Sequence, residues 1–281
     1  MSGNNSSIST LSSAIYNAVC GMVTGKLIRK SACPYEQARI RMVFDYIFFY
    51  TLMLVPISVA LAFLQDIPNL IITASFAFSF VFCGAIMMTG APHALPGSMA
   101  ALFTLLIPMA CSFMNDMDIS PIYAIPWLMA CMLGYFAVSL RASLSLMGLL
   151  FLYLGLVAWV KLDHIHISFP PTYSTMDRYV ATPFLMLGYF MIVLRVWGVY
   201  FRNIFQLQRQ QALQQQQEFS ALVNQNLIKQ FMLVKGLSRS GKSDFLDGNT
   251  DLVDARFTEI EKQCDSALHY LDGPSRLPDS L

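Results

Sequence analysis

The chain has 281 residues, of which 56% are hydrophobic and only 12% charged. Soluble domains carry about 25% charged residues, and the mean hydropathy of +0.53 excludes both disorder and an ordinary soluble enzyme. The net charge of +1 provides no basic field to gather nucleic acid, so none is expected as a partner.

The N-terminus, MSGNNSSIST, lacks the basic start and short apolar core of a signal peptide, and Ser2 leaves no myristoylation site. Residues 11–28 carry Leu11, Ile15, Val19, Met22 and Val23 at spacings near four. That fits an amphipathic helix at a membrane interface, with a disordered lead as the alternative. Within 1–44 this segment precedes the first span.

Uncharged runs locate the spans, because a helix needs about 20 apolar residues to cross roughly 30 Å. The first run, 46–65, lies between Asp45 and Asp66. The next, 67–115, is too long for one helix. It breaks at Gly90-Ala91-Pro92-His93-Ala94-Leu95-Pro96-Gly97, which predicts spans near 69–89 and 98–114. A fourth span is expected over 121–140, opening on Pro121, a fifth over 142–160, and a sixth over 179–201. The expectation is therefore all-α: a six-helix transmembrane bundle over 45–202. Arg195 lies inside the sixth span, seven residues before Arg202. Charge there is costly. It either snorkels to the interface of Arg202 or faces the bundle interior. Both residues are candidates for coupling the sixth span to the C-terminal segment.

Lys26, Arg29, Lys30, Arg39 and Arg41 precede the first span, and Arg202 and Arg209 lie after the sixth; the opposite side receives Lys161 and Arg178. The bias predicts a multi-pass protein with both termini cytoplasmic. No carboxylate is expected inside a span.

Residues 203–235 are expected to continue the sixth helix as a signalling helix through the glutamine-rich run Gln210–Gln217. Phe219, Leu222, Val223, Leu227, Phe231 and Val234 mark an apolar stripe. Gly236 then suggests a break, residues 238–249 a polar loop, and Thr250 the start of a second helix. Val253, Phe257, Ile260, Cys264, Ala267 and Leu271 repeat at four and three, a coiled-coil seam. Two such helices make a cytoplasmic hairpin over 203–281. Their stripes exceed what one pair buries, so a homodimer is expected.

Candidate chemistry is sparse. Residues 236–243, Gly-Leu-Ser-Arg-Ser-Gly-Lys-Ser, match the phosphate-loop string, but too few residues remain after it to build a nucleotide-binding sheet, so it reads as coincidence in a hairpin loop. His164 and His166 beside Asp163 suggest a solvated loop more than a metal site. The six cysteines lack paired spacing and read as free thiols. No catalytic residue, metal or cofactor is expected. The aromatic residues of the later spans, among them Tyr123, Trp127, Tyr135, Tyr189, Phe190 and Trp197, read either as packing and interfacial belts or as the lining of a small-molecule pocket.

The stretch from Phe113-Met114-Asn115-Asp116 to Tyr200-Phe201-Arg202-Asn203 resembles the sensor half of the α-hydroxyketone quorum-sensing receptor histidine kinases of the Vibrio and Legionella type. The likeness covers roughly residues 45–235. It implies six spans, a bacterial inner-membrane location and a pocket in the later spans for an amphiphilic signal with an acyl tail. The family continues into a dimerisation hairpin with F-x-A-x-I-A-H-E-x-R. Here Phe219-Ser220-Ala221-Leu222-Val223-Asn224-Gln225-Asn226 stands instead. The phosphoacceptor position falls on Gln225 and the acid/base position on Asn226. An amide cannot take the phosphoryl group or the proton. The resemblance thus implies a receptor that is not an enzyme, two-component-like, whose kinase-like hairpin acts on a partner such as a histidine kinase or a response regulator. The alternatives are a small membrane transporter or membrane enzyme with an oligomerising tail, and a piece or relic of a full kinase.

Overall fold

The computed structural model describes residues 5–163, 175–248 and 250–272. Among them every regular element is an α-helix and none is a strand: α1 (Asn5–Lys30), α2 (Pro34–Phe63), α3 (Ile67–Thr89), α4 (Ala94–Met114), α5 (Pro121–Ala137), α6 (Leu140–Leu162), α7 (Thr175–Leu246) and α8 (Thr250–Asp272).

Local chemistry sets the boundaries. Pro34 occupies the first turn of α2, where its missing N–H costs nothing. Asp66 caps α3, its carboxylate accepting from the Asn69 backbone N–H and side-chain amide at 3.3 and 2.8 Å. Gly90 ends α3 in the left-handed region at φ 84°, where a side chain would be strained. Ser139 caps α6 by accepting from Ala142 N–H at 3.3 Å. The expected fourth span therefore stops short of residue 140, and Arg141 enters the first turn of α6 instead of separating two spans.

Five of these helices, α2, α3, α4, α6 and the apolar part of α7, are long and apolar enough to cross a membrane; α5 is apolar but has 17 residues. Their outer faces are apolar too. Phe63, Phe78, Phe151, Leu152, Phe184 and Leu194 are each more than two-thirds exposed. An apolar surface of that extent suits lipid and not water. The chain is a helical, multi-pass membrane protein by this architecture.

The chain forms two compact units, Met1–Leu207 and Gln208–Leu281, with α7 contributing to both. In the first, sequential helices pack on each other from α2 to α6, and α2 also meets α5. α1 is a helix, as one reading of 11–28 requires. It packs Tyr16, Val19, Cys20, Val23, Leu27 and Ile28 against the core, so one face is committed to protein contact. The core is built on Tyr46 and Tyr50 of α2, Phe76 and Phe80 of α3, and Tyr189, Ile192, Val196 and Trp197 of α7.

Gly97 and Gly134 let helices approach closely, as Gly188 does against the Met53 side chain. A Cβ on Gly97 would lie 2.9 Å from the Ala137 Cβ, whereas one on Gly134 would lie 2.8 Å from the Leu146 Cδ1. A leucine tip can rotate away; an alanine methyl moves only with its backbone. Gly97→Ala is therefore expected to cost about 1–3 kcal/mol of stability and Gly134→Ala clearly less, read as Tm in detergent.

In the second unit α7 runs on to Leu246, so the expected break at Gly236 and loop over 238–249 do not form. The turn is confined to a short link around Gly248, which takes φ 80°. The serine- and glycine-rich composition is overridden by packing. A Cβ on Gly241 would meet Arg256 of α8 at 3.6 Å, and Arg256 Nε lies 3.4 Å from an Asp244 carboxylate oxygen. That pairing with α8 acts against the roughly 1 kcal/mol penalty of a helical glycine at Gly241.

Candidate functional site

The aromatic residues singled out in the sequence fall into three places. Tyr189 and Trp197 lie in the core of the first unit. Trp197 stands edge-on to Tyr46 at 5.8 Å between ring centroids, and Tyr189 lies 6.1 Å from Tyr50. The Tyr46 hydroxyl donates to Thr104 Oγ1 at 3.0 Å, while the Trp197 indole N–H is buried with no hydrogen-bond partner among the described residues.

Trp127 and Tyr123 belong to a second cluster, between α4, α5 and α6. Trp127 is edge-on to Tyr153 at 5.8 Å, and its indole N–H is likewise buried without a partner among the described residues. The Tyr153 hydroxyl reaches the Met109 carbonyl at 3.1 Å and Ser112 Oγ at 2.9 Å. Tyr153 also lines an apolar groove of about 570 Å³ between α4 and α6, with Met109, Phe113, Leu149, Leu152 and Leu156. Tyr135 and Phe190 are about half exposed on the outer surface. The six residues are thus not brought to a single cavity.

A third constellation was missed in the sequence. Asp45, read there as the polar border of the first span, is buried inside α2, and the Tyr16 hydroxyl of α1 donates to its Oδ1. Asp45 thus lies within the helix α2 and not at its edge, next to the uncharged run that marks the first span. The guanidinium of Arg195 sits over the same neighbourhood, 5.9 Å from the Tyr16 ring centroid and 5.3 Å from that of Phe49. Arg195 is exposed on the outer face of α7, and its guanidinium still lies over these rings. Burial, and then the hydrogen bond to Asp45, push the Tyr16 phenol well above its ordinary range. A charge-free run ends at any Asp, so run-counting cannot see one whose partner lies 29 residues earlier. Tyr16 in register with Val19, Cys20 and Val23 was the available signal.

Arg202 is exposed on α7. Gln225 is exposed and Asn226 half-buried on the same helix in the second unit. The phosphate-loop string lies wholly within α7, where its amides are spent on helix hydrogen bonds and form no cradle. His164 and His166 lie outside the described residues.

His93 caps the start of α4, its Nδ1 3.6 Å from Glu36 Oε1. Burial holds its imidazole below the ordinary 6.5, with Glu36 opposing and Arg39 reinforcing. The unfolded chain then takes the proton first as pH falls. This contribution to stability is full above pH 6.5 and is lost as pH drops below it. His93→Gln is expected to flatten the fall in Tm between about pH 6.5 and 5.

Compared with family models, with curated proteins and with solved structures, the chain matches none.

Proposed function

We propose that the chain is a membrane receptor without catalytic activity, which passes a ligand-dependent change from its membrane bundle to its C-terminal hairpin. The observation that supports this most is α7. One unbroken 72-residue helix carries Tyr189 and Trp197 in the first unit's core and Val223, Leu227 and Val234 on the inward face of the second. A helix shared in this way couples a rearrangement in one unit to the other, by no more than the ligand's differential affinity for the two states.

In this reading α5 is a short fourth span among six, and the Lys/Arg bias supports both termini on the cytoplasmic side of a bacterial membrane. The signal is an amphiphile, in the class of the α-hydroxyketones. The apolar groove beside Tyr153 suits an acyl tail, and the indole N–H of Trp127, edge-on to Tyr153 and without a partner among the described residues, suits a carbonyl or hydroxyl head. The output goes through a homodimer. In the hairpin Phe219, Leu222, Phe231, Phe257 and Leu268 remain more than half exposed, the faces a second copy would cover. Gln225 and Asn226 cannot carry phosphoryl or proton transfer, so the hairpin works on a partner, a histidine kinase or a response regulator.

Thermal unfolding in mild detergent, titrated with medium-chain α-hydroxyketones and with matched alcohols, tests the reading. At 100 times its dissociation constant a ligand adds about 2.7 kcal/mol. A saturable rise in Tm specific to the hydroxyketone is expected. An equal response to the alcohols removes the signal assignment.

The buried Asp45 favours one second reading, a small transporter that uses an intramembrane acid. Asp45→Asn in proteoliposomes separates them: a transporter loses flux, whereas a receptor has no flux to lose.

A further inference from the structure

Asp45, Tyr16 and Arg195 come from three helices and meet at the Tyr16 ring, whose hydroxyl donates to Asp45 and whose face lies under the Arg195 guanidinium. The C-terminal end of α1 is tied down separately. Gln37 Nε2 donates to the Ser31 carbonyl at 3.0 Å, and Ser31 Oγ donates to Glu36 Oε2 at 2.8 Å. These bonds fix the corner between α1 and α2. Further along α1 the attachment is one apolar face and the Tyr16–Asp45 hydrogen bond. The opposite face is open: Ile15 and Met22 are more than half exposed, and Cβ atoms on Gly21 and Gly25 would meet nothing within 4 Å. α1 is therefore a helix hinged at its end near Ser31 and fastened near its middle, among the described residues, by one polar side-chain contact to another helix.

That contact involves α7 as well. Tyr16 stacks with Phe49 at 6.1 Å, and the Arg195 guanidinium lies over both rings. Lifting α1 would remove the Asp45 donor and one of the two aromatic faces that Arg195 covers. Both α2 and α7 would register the loss. A hydrocarbon pair would fill the same space without a buried charge, so the polar trio is better suited to switching than to holding.

We propose that Tyr16, Asp45 and Arg195 form a latch through which docking of the N-terminal helix α1 controls the state of α7. The charged and titratable groups that act on the carboxylate are Tyr16 of α1, Arg41 of α2 and Arg195 of α7, and Cys20 of α1 faces the Tyr16 phenol. Opening transfers the Asp45 hydrogen bond from the phenol to another donor, and no covalent bond or proton need move.

Hydrogen exchange of the full chain in nanodiscs tests this without any ligand. Tyr16→Phe keeps the ring and removes only the hydroxyl. It should speed exchange of the α1 amides about 3- to 20-fold, the factor a buried hydrogen bond in a membrane protein is worth. It should also change exchange in α7 between Tyr189 and Leu207. Tyr153→Phe removes a comparable hydroxyl remote from α1 and should leave α1 unchanged. The proposal is overturned if Tyr16→Phe leaves α1 as protected as before. It is equally overturned if α1 loosens while α7 does not respond, or if Tyr153→Phe loosens α1 to the same degree.

Discussion

Gln214→Pro is expected to abolish the response of the C-terminal hairpin to ligand while leaving ligand binding intact. A proline in the interior of α7 removes one backbone hydrogen bond and pushes against the preceding turn, at about 3 kcal/mol or more. Gln214 is exposed on the glutamine-rich stretch, so the substitution disturbs no side-chain packing. The readout is native. Cys264 is a free, exposed thiol on α8, and its oxidative cross-linking between copies reports how the hairpins pair. In the unsubstituted protein the hydroxyketone should alter the cross-linking yield. In Gln214→Pro the Tm rise on ligand should remain and the cross-linking should no longer change. A ligand-dependent change that survives the proline would show that α7 is not the route.

Trp197→Ala is expected to be the most damaging truncation of a single side chain in the bundle, at about 3–5 kcal/mol. Trp197 is 2% exposed, lies edge-on to Tyr46 and shares its helix face with Tyr189, Ile192 and Val196. Removing it leaves a void between α2 and α7 that neither rigid helix can close. Trp159 is the comparison. It is 58% exposed on α6, where lipid replaces most of what the ring touches, so Trp159→Ala should cost far less. Equal losses at the two positions, measured as Tm in the same detergent, would contradict the packing described for α7.

The apolar helices were legible because a bilayer-crossing helix excludes charge, so charge-free runs and the Pro/Gly turn near residue 90 mark them. Two boundaries were not. α2 starts at Pro34, well before the uncharged run, because the charges of its first turns can face outward or find partners. Asp45 found Tyr16, and no window within one helix contains both. The hairpin turn was misplaced for the opposite reason: composition near Gly241 is turn-like, but α8 packs there and keeps the chain helical. Within the candidate site, aromatic content was visible and its direction was not. Tyr189 and Phe190 are neighbours in sequence, yet the first is 8% and the second 51% exposed. The buried positions 189, 192, 196 and 200 recur at three and four, and that periodicity in α7 would have separated them.

The pairing of Tyr46 and Tyr50 with Trp197 and Tyr189 fixes the order in which the molecule can be completed. α2 leaves the ribosome long before the helix that closes it. At about 5–20 residues per second, the interval is roughly 7–30 s. Throughout it, the tyrosine face of α2 must be shielded by lipid or by the insertion machinery. A chain halted before Tyr189 would keep that face open for good, which gives membrane quality control a ready mark of an unfinished copy.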